Sequence, residues 1–327
     1  MTAYRGTWLI TGGAGYIGAH VVHEFRREGY GVVVLDDLST GHAERLGGSV
    51  RLVEGRCQDS ALVAGLVGDF DIRGVVHLAA RKHARESARS PLLYWSENVG
   101  ALLGVLQGIS GSGVRHMVLS SSCSVYGSAG EVTPNTPTDP VSPYGRTKLV
   151  SEMALADCAE EIGLTWVALR YFNVIGNGDF TMAHDTSTEC LVPAATRLLS
   201  SGQIPHVYGL DFPTPDGSAL RDYIDVRDLA RAHLLAAQEL ERSPDSVAWR
   251  TGLDVGRGSP VSVLEVLGAV AEALGVPVVY HDGGRQPADP PAVWTSASPA
   301  LRYLGWRPTH DLRSSVTAHV SSAGSSA

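Results

Sequence analysis

The chain has 327 residues, 44% of them hydrophobic, and a formal net charge of −8 at pH 7. That length exceeds the usual single core and calls for a main domain carrying a smaller second lobe. The acidic balance, with no block of Lys and Arg, speaks against nucleic acid; with no run of 18 apolar residues and no signal-peptide pattern in Met1-Thr-Ala-Tyr-Arg-Gly-Thr7, the expectation is a soluble cytoplasmic protein with no membrane partner.

Residues Thr7 to Thr11 read as a short buried strand, followed at once by Gly12-Gly-Ala-Gly15-Tyr16-Ile17-Gly18 and a helix to about Gly29. In this G-x-x-G-x-x-G spacing Gly12 permits a tight turn, Gly15 lets the backbone approach a pyrophosphate and Gly18 allows close helix packing. The helix N-terminus offers N–H donors and a partial positive charge to the anion. A structural turn alone also asks for glycines. Here, however, the next strand, Val32 to Leu35, ends in Asp36, whose carboxylate accepts from both adenosine ribose hydroxyls and repels a 2′-phosphate. Strand, glycines, helix and acid in this order predict NAD as the cofactor.

Further strands are expected at Val50 to Val53, Val75 to Leu78, Met117 to Ser120 and Trp166 to Leu169, with helical stretches between them. The alternation predicts an α/β fold, a Rossmann-type doubly wound parallel sheet whose ligands lie beyond the carboxyl ends of the strands. Ala79-Ala-Arg-Lys82, Ser122 and Asn173 all follow such ends. Arg81, His83, Arg85 and Arg89 cluster around Lys82; they suit a phosphate or a uronate carboxylate, but the reading preferred is a solvated helix face. His20 and His77 have no carboxylate or cysteine partners at ligand spacing and read as packing or surface residues.

Ser122 closes the run Val118-Leu-Ser-Ser-Ser122, and Tyr144-Gly-Arg-Thr-Lys148 puts a phenol and an ammonium on one helical face. The ammonium favours the phenolate, lowering a pKa ordinarily near 10, and Ser122 donates to the same hydroxyl oxygen. Ser122, Tyr144 and Lys148 therefore describe one redox reaction on a hydroxyl. Cys123 has no base partner for a nucleophile, and the spacing of Cys57, Cys123, Cys158 and Cys190 gives neither a disulfide framework nor a zinc site. After Asn173 the alternation ends. Residues 1–172 are expected to form the NAD-binding core, with about 222–256 returning to it; 173–221 and 257–320 the smaller, C-terminal substrate-binding lobe; and the low-complexity 321–327 a frayed tail.

Over almost its whole length the chain resembles the extended short-chain dehydrogenase/reductases and, more narrowly, the UDP-glucose 4-epimerase family. Thr11-Gly-Gly-Ala-Gly-Tyr-Ile-Gly18 and Tyr144-x-x-x-Lys148 carry the wider resemblance. Leu169-Arg-Tyr-Phe-Asn173, Tyr208-Gly-Leu-Asp-Phe-Pro-Thr-Pro-Asp-Gly217 and Arg221-Asp-Tyr-Ile-Asp-Val226 carry the narrower one. The resemblance implies 4-epimerisation of a UDP-hexose through a transient 4-keto sugar, with Tyr144 as acid and base, Lys148 holding the nicotinamide ribose and Ser122 aiding proton transfer. It implies that Ser124 contacts the hexose, Lys82 and Asn98 the cofactor, Asn173 and Arg221 the diphosphate, and Asp289 the uridine ribose. Val293 stands where narrow-specificity relatives have a tyrosine near the sugar C2 substituent. A homodimer through the helices near Leu92 to Ile109 and Ser142 to Glu161 is also implied. Turn or cap chemistry remains the other reading of Asn98 and Asn173.

Three departures stand out. Arg56-Cys57 replaces an Asp beside the adenine, Cys190 replaces an asparagine, and Gln286-Pro-Ala-Asp289 leaves Arg285 one residue early, its phosphate contact open. The same centre also serves a UDP-N-acetylhexosamine or a UDP-uronate. A sugar-nucleotide dehydratase fits less well, because Cys123-Ser124 offers no Asp-Glu pair. A catalytically silent NAD sensor would keep the glycines but have no need of Ser122, Tyr144 and Lys148.

Overall fold

In the computed structural model, residues 5–178, 184–243, 252–286, 289–295 and 299–324 are described. Trp8, Leu9 and Ile10 are fully buried, as are Val34, Leu35, Val75, Val76 and Val118. Strands this apolar on both faces belong in the middle of a covered parallel sheet. The pleat divides them: Trp8, Ile10, Val34 and Val76 enter one core with Phe25 and Leu229, while Leu9, Leu35 and Val75 enter another with Leu102, Leu155 and Trp166.

The sheet has seven parallel strands in the order Gly252–Val255, Thr165–Tyr171, His116–Ser122, Ile72–His77, Thr7–Thr11, Gly31–Asp36, Arg51–Glu54. The chain leaves Thr7–Thr11 toward Gly31–Asp36 on one side and later returns to Ile72–His77 on the other. That reversal opens a crevice above the carboxyl end of Thr7–Thr11, where doubly wound sheets bind ligands. The six strands expected from sequence are present. The seventh, Gly252–Val255, is an edge strand carrying the buried Asp254, which breaks its apolar pattern.

The second lobe holds a sheet in the order Pro260–Ser262, Leu220–Asp225, Ala292–Thr295, Gly130–Val132, with Asn173–Ile175 also paired to Leu220–Asp225. Val192, Leu199, Tyr223, Val266, Val270 and Val316 form its core. Two boundaries differ from those expected. Leu220–Asp225 pairs within the second lobe, so the return to the main core starts at the helix Val226–Arg242, and Gly130–Val132 crosses from the first 172 residues into the second sheet. Short polar strands such as these take their place from partners distant in sequence. Of the tail expected to fray, 321–324 complete the helix Leu312–Gly324, while 325–327 lie outside the described residues. Among the described residues no helix is long and apolar enough to cross a membrane.

Burial sets the acid limit of this fold. It pushes His20, His233 and His319 down to about 4 and His77 to about 3, so each is neutral near pH 7. The unfolded chain then binds more protons below about pH 6.5, and stability falls as the pH drops toward the folded values. Asp254, pushed up to about 6 by burial, acts oppositely by taking its proton earlier in the folded state. Urea unfolding between pH 6.5 and 5 is expected to show stability falling with pH, with a net uptake of up to about three protons on unfolding; a flat profile there would contradict the neutral buried histidines.

Candidate active site

The long helix Pro143–Ile162 begins with Pro143 at its first position, and the Ser142 hydroxyl accepts from Gly145 N at 3.0 Å. A side chain on Gly145 would meet the Ser124 carbonyl at 2.5 Å, so a glycine there lets the helix press against the turn after Ser122. Tyr144 N donates to Ser87 Oγ at 3.1 Å, and its ring meets Tyr94 edge to face at 6.4 Å. Ser122 ends its strand opposite Tyr171, donates to Ser124 Oγ and accepts from Ser124 N, both at 3.1 Å. Lys148 Nζ donates to the Ser120 carbonyl at 2.8 Å.

These contacts alter the charge pattern expected from sequence. Burial raises the Tyr144 phenol above its ordinary value, Tyr171 adds to the rise, and a hydrogen bond with Ser122 opposes it. Burial also pushes the Lys148 ammonium down to about 8, with Glu152 countering. The expected lowering of the phenol by Lys148 is outweighed because both groups are taken out of water, and Lys148 Nζ lies 6.0 Å from the Tyr144 ring centroid while bonded to Ser120. Cys123 beside them is pushed up to about 12 by burial and is a neutral thiol.

A cavity of about 1170 Å³ joins the two lobes and is lined by Gly12, Gly15, Tyr16, Ile17, Gly18, Asp36, Lys82, Ser122, Ser124, Tyr144, Lys148, Asn173, Arg221 and Asp289. Its first end fits a dinucleotide. Gly12 has φ +70°, and a side chain on it would meet Ala79 N at 2.7 Å, so the turn leaves an open cradle of backbone N–H groups at the helix start. Asp36 closes that end; its carboxylate accepts from Ala14 N and Leu38 N, each at 2.9 Å, and keeps lone pairs for a ribose diol. Gln58 and Arg45, not singled out in the sequence, line the same end. Gln58 places an amide beside Cys57, where the expected aspartate is missing, and donates to Glu97 at 3.2 Å. No motif spacing marks either residue.

On the second lobe Arg221 donates to Asp289 Oδ1 at 2.5 Å and to the Pro290 carbonyl at 2.8 Å. Two expected site residues stand elsewhere. Asn98 is buried but off the cavity wall: its amide donates to the Arg81 carbonyl and Thr147 Oγ1, and its oxygen accepts from Arg81 N. Its amide protons are thus engaged in holding the Ala79–Lys82 loop to the long helix, the task that turn chemistry would give it. Val293, opposite Arg221 in the sheet, is packed with Phe172, Val125 and Tyr126, behind the cavity wall that Phe172 helps to form. Arg285 also points away; it donates to Asp211 Oδ1 at 2.6 Å and covers the Phe212 ring at 4.6 Å. Arg81, His83, Arg85 and Arg89 line the cavity, whereas the sequence favoured a solvated helix face. His20 and His77 are packed and bonded within the fold, His77 Nδ1 to Thr11 Oγ1 at 2.8 Å.

Residues 8–251 match the NAD dependent epimerase/dehydratase family. The chain is 39% identical over 311 residues to the UDP-glucose 4-epimerase of Azospirillum brasilense, covering 93% of this chain and 87% of that protein. It is 35% identical over 308 residues to that of Lactobacillus helveticus, covering 93% and 92%. Among solved structures, a UDP-glucose-4-epimerase from Stenotrophomonas maltophila with bound NAD and formylated UDP-arabinopyranose superposes with a TM-score of 0.91 at 34% identity, covering 99% of this chain and 100% of that one. A glycine turn with its acid at one end of a cavity, and serine, tyrosine and lysine at its centre, accord with this likeness: the chain belongs to the NAD dependent epimerase/dehydratase family.

Proposed function

We propose that the chain interconverts UDP-hexoses such as UDP-glucose and UDP-galactose by inverting C4, using NAD. The carrying observation is that Ser122, Tyr144 and Lys148 line the same cavity as the Gly12–Gly18 turn and Asp36 on one side and Arg221 and Asp289 on the other. NAD, when bound along the glycine turn, supplies the hydride acceptor and donor and a positive charge near the phenol. Tyr144 takes the 4-hydroxyl proton as the C4–H electron pair leaves as hydride, which gives a 4-keto sugar. Ser122, with its hydroxyl beside Ser124, steadies the oxygen. Lys148, one helical turn from Tyr144, supplies a positive charge that favours the phenolate. Arg221 and Asn173 keep the diphosphate while the keto sugar turns its other face, and Tyr144 then returns the proton to the oxygen. Redox balance is restored at each turnover.

The second-lobe wall supports a broader sugar range that includes UDP-N-acetylhexosamines. Val293 packs in one cluster with Phe172, so this cavity-wall ring is backed by a smaller side chain than a tyrosine would be. We further propose that two copies pair through the helices Gly100–Ile109 and Pro143–Ile162 and the turn leading into the first. Leu92 is 84% exposed and Met153 57%, while Trp95, Leu103 and Val141 are also uncovered, an apolar patch a second copy would bury. Its four free thiols, Cys57, Cys123, Cys158 and Cys190, suit a cytoplasmic location.

Tyr144→Phe is expected to retain NAD and UDP-sugar binding while losing about 100-fold or more in kcat, since only the proton carrier is removed; near-normal turnover would defeat the mechanism. Val293→Tyr should suppress turnover of UDP-GlcNAc or UDP-GalNAc more than that of UDP-galactose, as the added ring pushes Phe172 inward. A wild-type enzyme that converts UDP-galactose but neither N-acetylated sugar would contradict the breadth. Light scattering should give twice the 34.6 kDa chain mass, and a monomer alone would refute the pairing.

A further inference from the structure

We infer that Arg85 is an anion-binding residue of the cavity, and that its ligand is the diphosphate of the nucleotide sugar; the inference rests on the UDP-sugar reading above. Most of the other basic groups around the cavity are already engaged. Arg221 is paired with Asp289, Lys82 with Asp185 at 3.5 Å and Arg81 with Glu86 at 3.4 Å. His83 meets Glu189 at 3.3 Å, and Arg45 donates to carbonyls of Ala14 and His184. Arg285 is held on Asp211, off the cavity wall.

Arg85 differs from all of these. It lines the cavity on the short helix Ala84–Arg89, and among the described residues no carboxylate or hydrogen-bond acceptor meets it. Its guanidinium lies over the Tyr208 ring at 4.8 Å, reaching from the main-core side of the cavity to the second lobe. Stacking of this kind fixes the plane of the group while leaving the N–H donors at its edge available. Arg89 also lines the cavity, one helical turn further on, and among the described residues neither it nor Arg85 has an ion pair. Two like charges at this spacing cost the helix a few tenths of a kcal/mol. Arg197 also lines the cavity, from the helix Leu191–Ser200, and among the described residues it has neither an ion pair nor a ring contact.

A diphosphate brings about two negative charges, and the Arg221–Asp289 pair alone meets them with none in net. A guanidinium fork on the cavity wall supplies charge-assisted hydrogen bonds to phosphate oxygens. A carboxylate on the sugar would satisfy the same donors, so the test separates the two sources.

Competitive inhibition by UDP and by uridine, with the KM for UDP-galactose and for UDP-glucuronate, is measured for the wild type, Arg85→Ala, Arg85→Lys and Arg285→Ala. UDP binding by the wild type tests the UDP-sugar reading itself; if the wild type fails to bind UDP, that reading falls and the inference with it. Given wild-type binding, Arg85→Ala should weaken UDP and raise the KM for UDP-galactose about tenfold. Uridine should be unaffected, Arg85→Lys should be intermediate, and Arg285→Ala should match the wild type for UDP. Because Arg85 is exposed and unbonded in the fold, a matching thermal midpoint is expected for each Arg85 variant. Unchanged UDP inhibition in Arg85→Ala would overturn the inference. So would an equal loss for uridine, which would place Arg85 on the base, or a loss confined to UDP-glucuronate, which would place it on a sugar carboxylate.

Discussion

The site depends on one buried ion pair, Arg170 with Glu152. Arg170 Nε and Nη2 grip both carboxylate oxygens, with Nη2 to Oε2 at 2.5 Å, and the side chains are only 16% and 6% exposed. Glu152 also accepts from Ser121 Oγ, while Arg170 Nη1 donates to Tyr126 Oη at 2.9 Å and Tyr126 donates to Asp254 at 2.8 Å. The helix of Tyr144 and Lys148, the strand ending in Ser122, the strand before Phe172 and Asn173, and the edge strand Gly252–Val255 are thereby fastened at one level. Losing one partner of such a pair leaves a charge buried alone, a cost of about 3–5 kcal/mol. The same pair sets the local field: Glu152, one turn beyond Lys148, opposes the burial that drives its ammonium toward neutrality.

The main sheet was legible because its strands are apolar on both faces and the glycine turn follows the first of them directly. The meeting of Ser122, Tyr144 and Lys148 in one cavity was legible because their pattern is tied to short spacings, Tyr144 to Lys148 on a helix and Ser122 at a strand end. The second lobe was less so. Its strands are short, and Ala292–Thr295 takes its place between Gly130–Val132 and Leu220–Asp225, partners distant in sequence. The charge states were not legible at all. Spacing alone suggested that Lys148 lowers the phenol, whereas burial of both groups reverses that balance in the folded chain.

The departures at the periphery fall into place once the cavity is known. Gln58 stands beside Cys57 at the adenosine end, Arg285 has turned to Asp211, and Arg85 reaches across to Tyr208. Asn98, in the π-helical turn Trp95–Val99, works as a brace between the Lys82 loop and the long helix. These differences lie at the rim of the cavity, while Ser122, Tyr144 and Lys148 line it together.

In the proposed reaction one hydrogen leaves C4 as hydride and returns to the same carbon on its other face while Tyr144 handles only the hydroxyl proton. UDP-galactose carrying deuterium at C4, incubated with the enzyme in ordinary water, tests this directly. UDP-glucose that retains its deuterium at C4 is expected; loss of the label to solvent, or its appearance at another carbon, would rule the hydride return out.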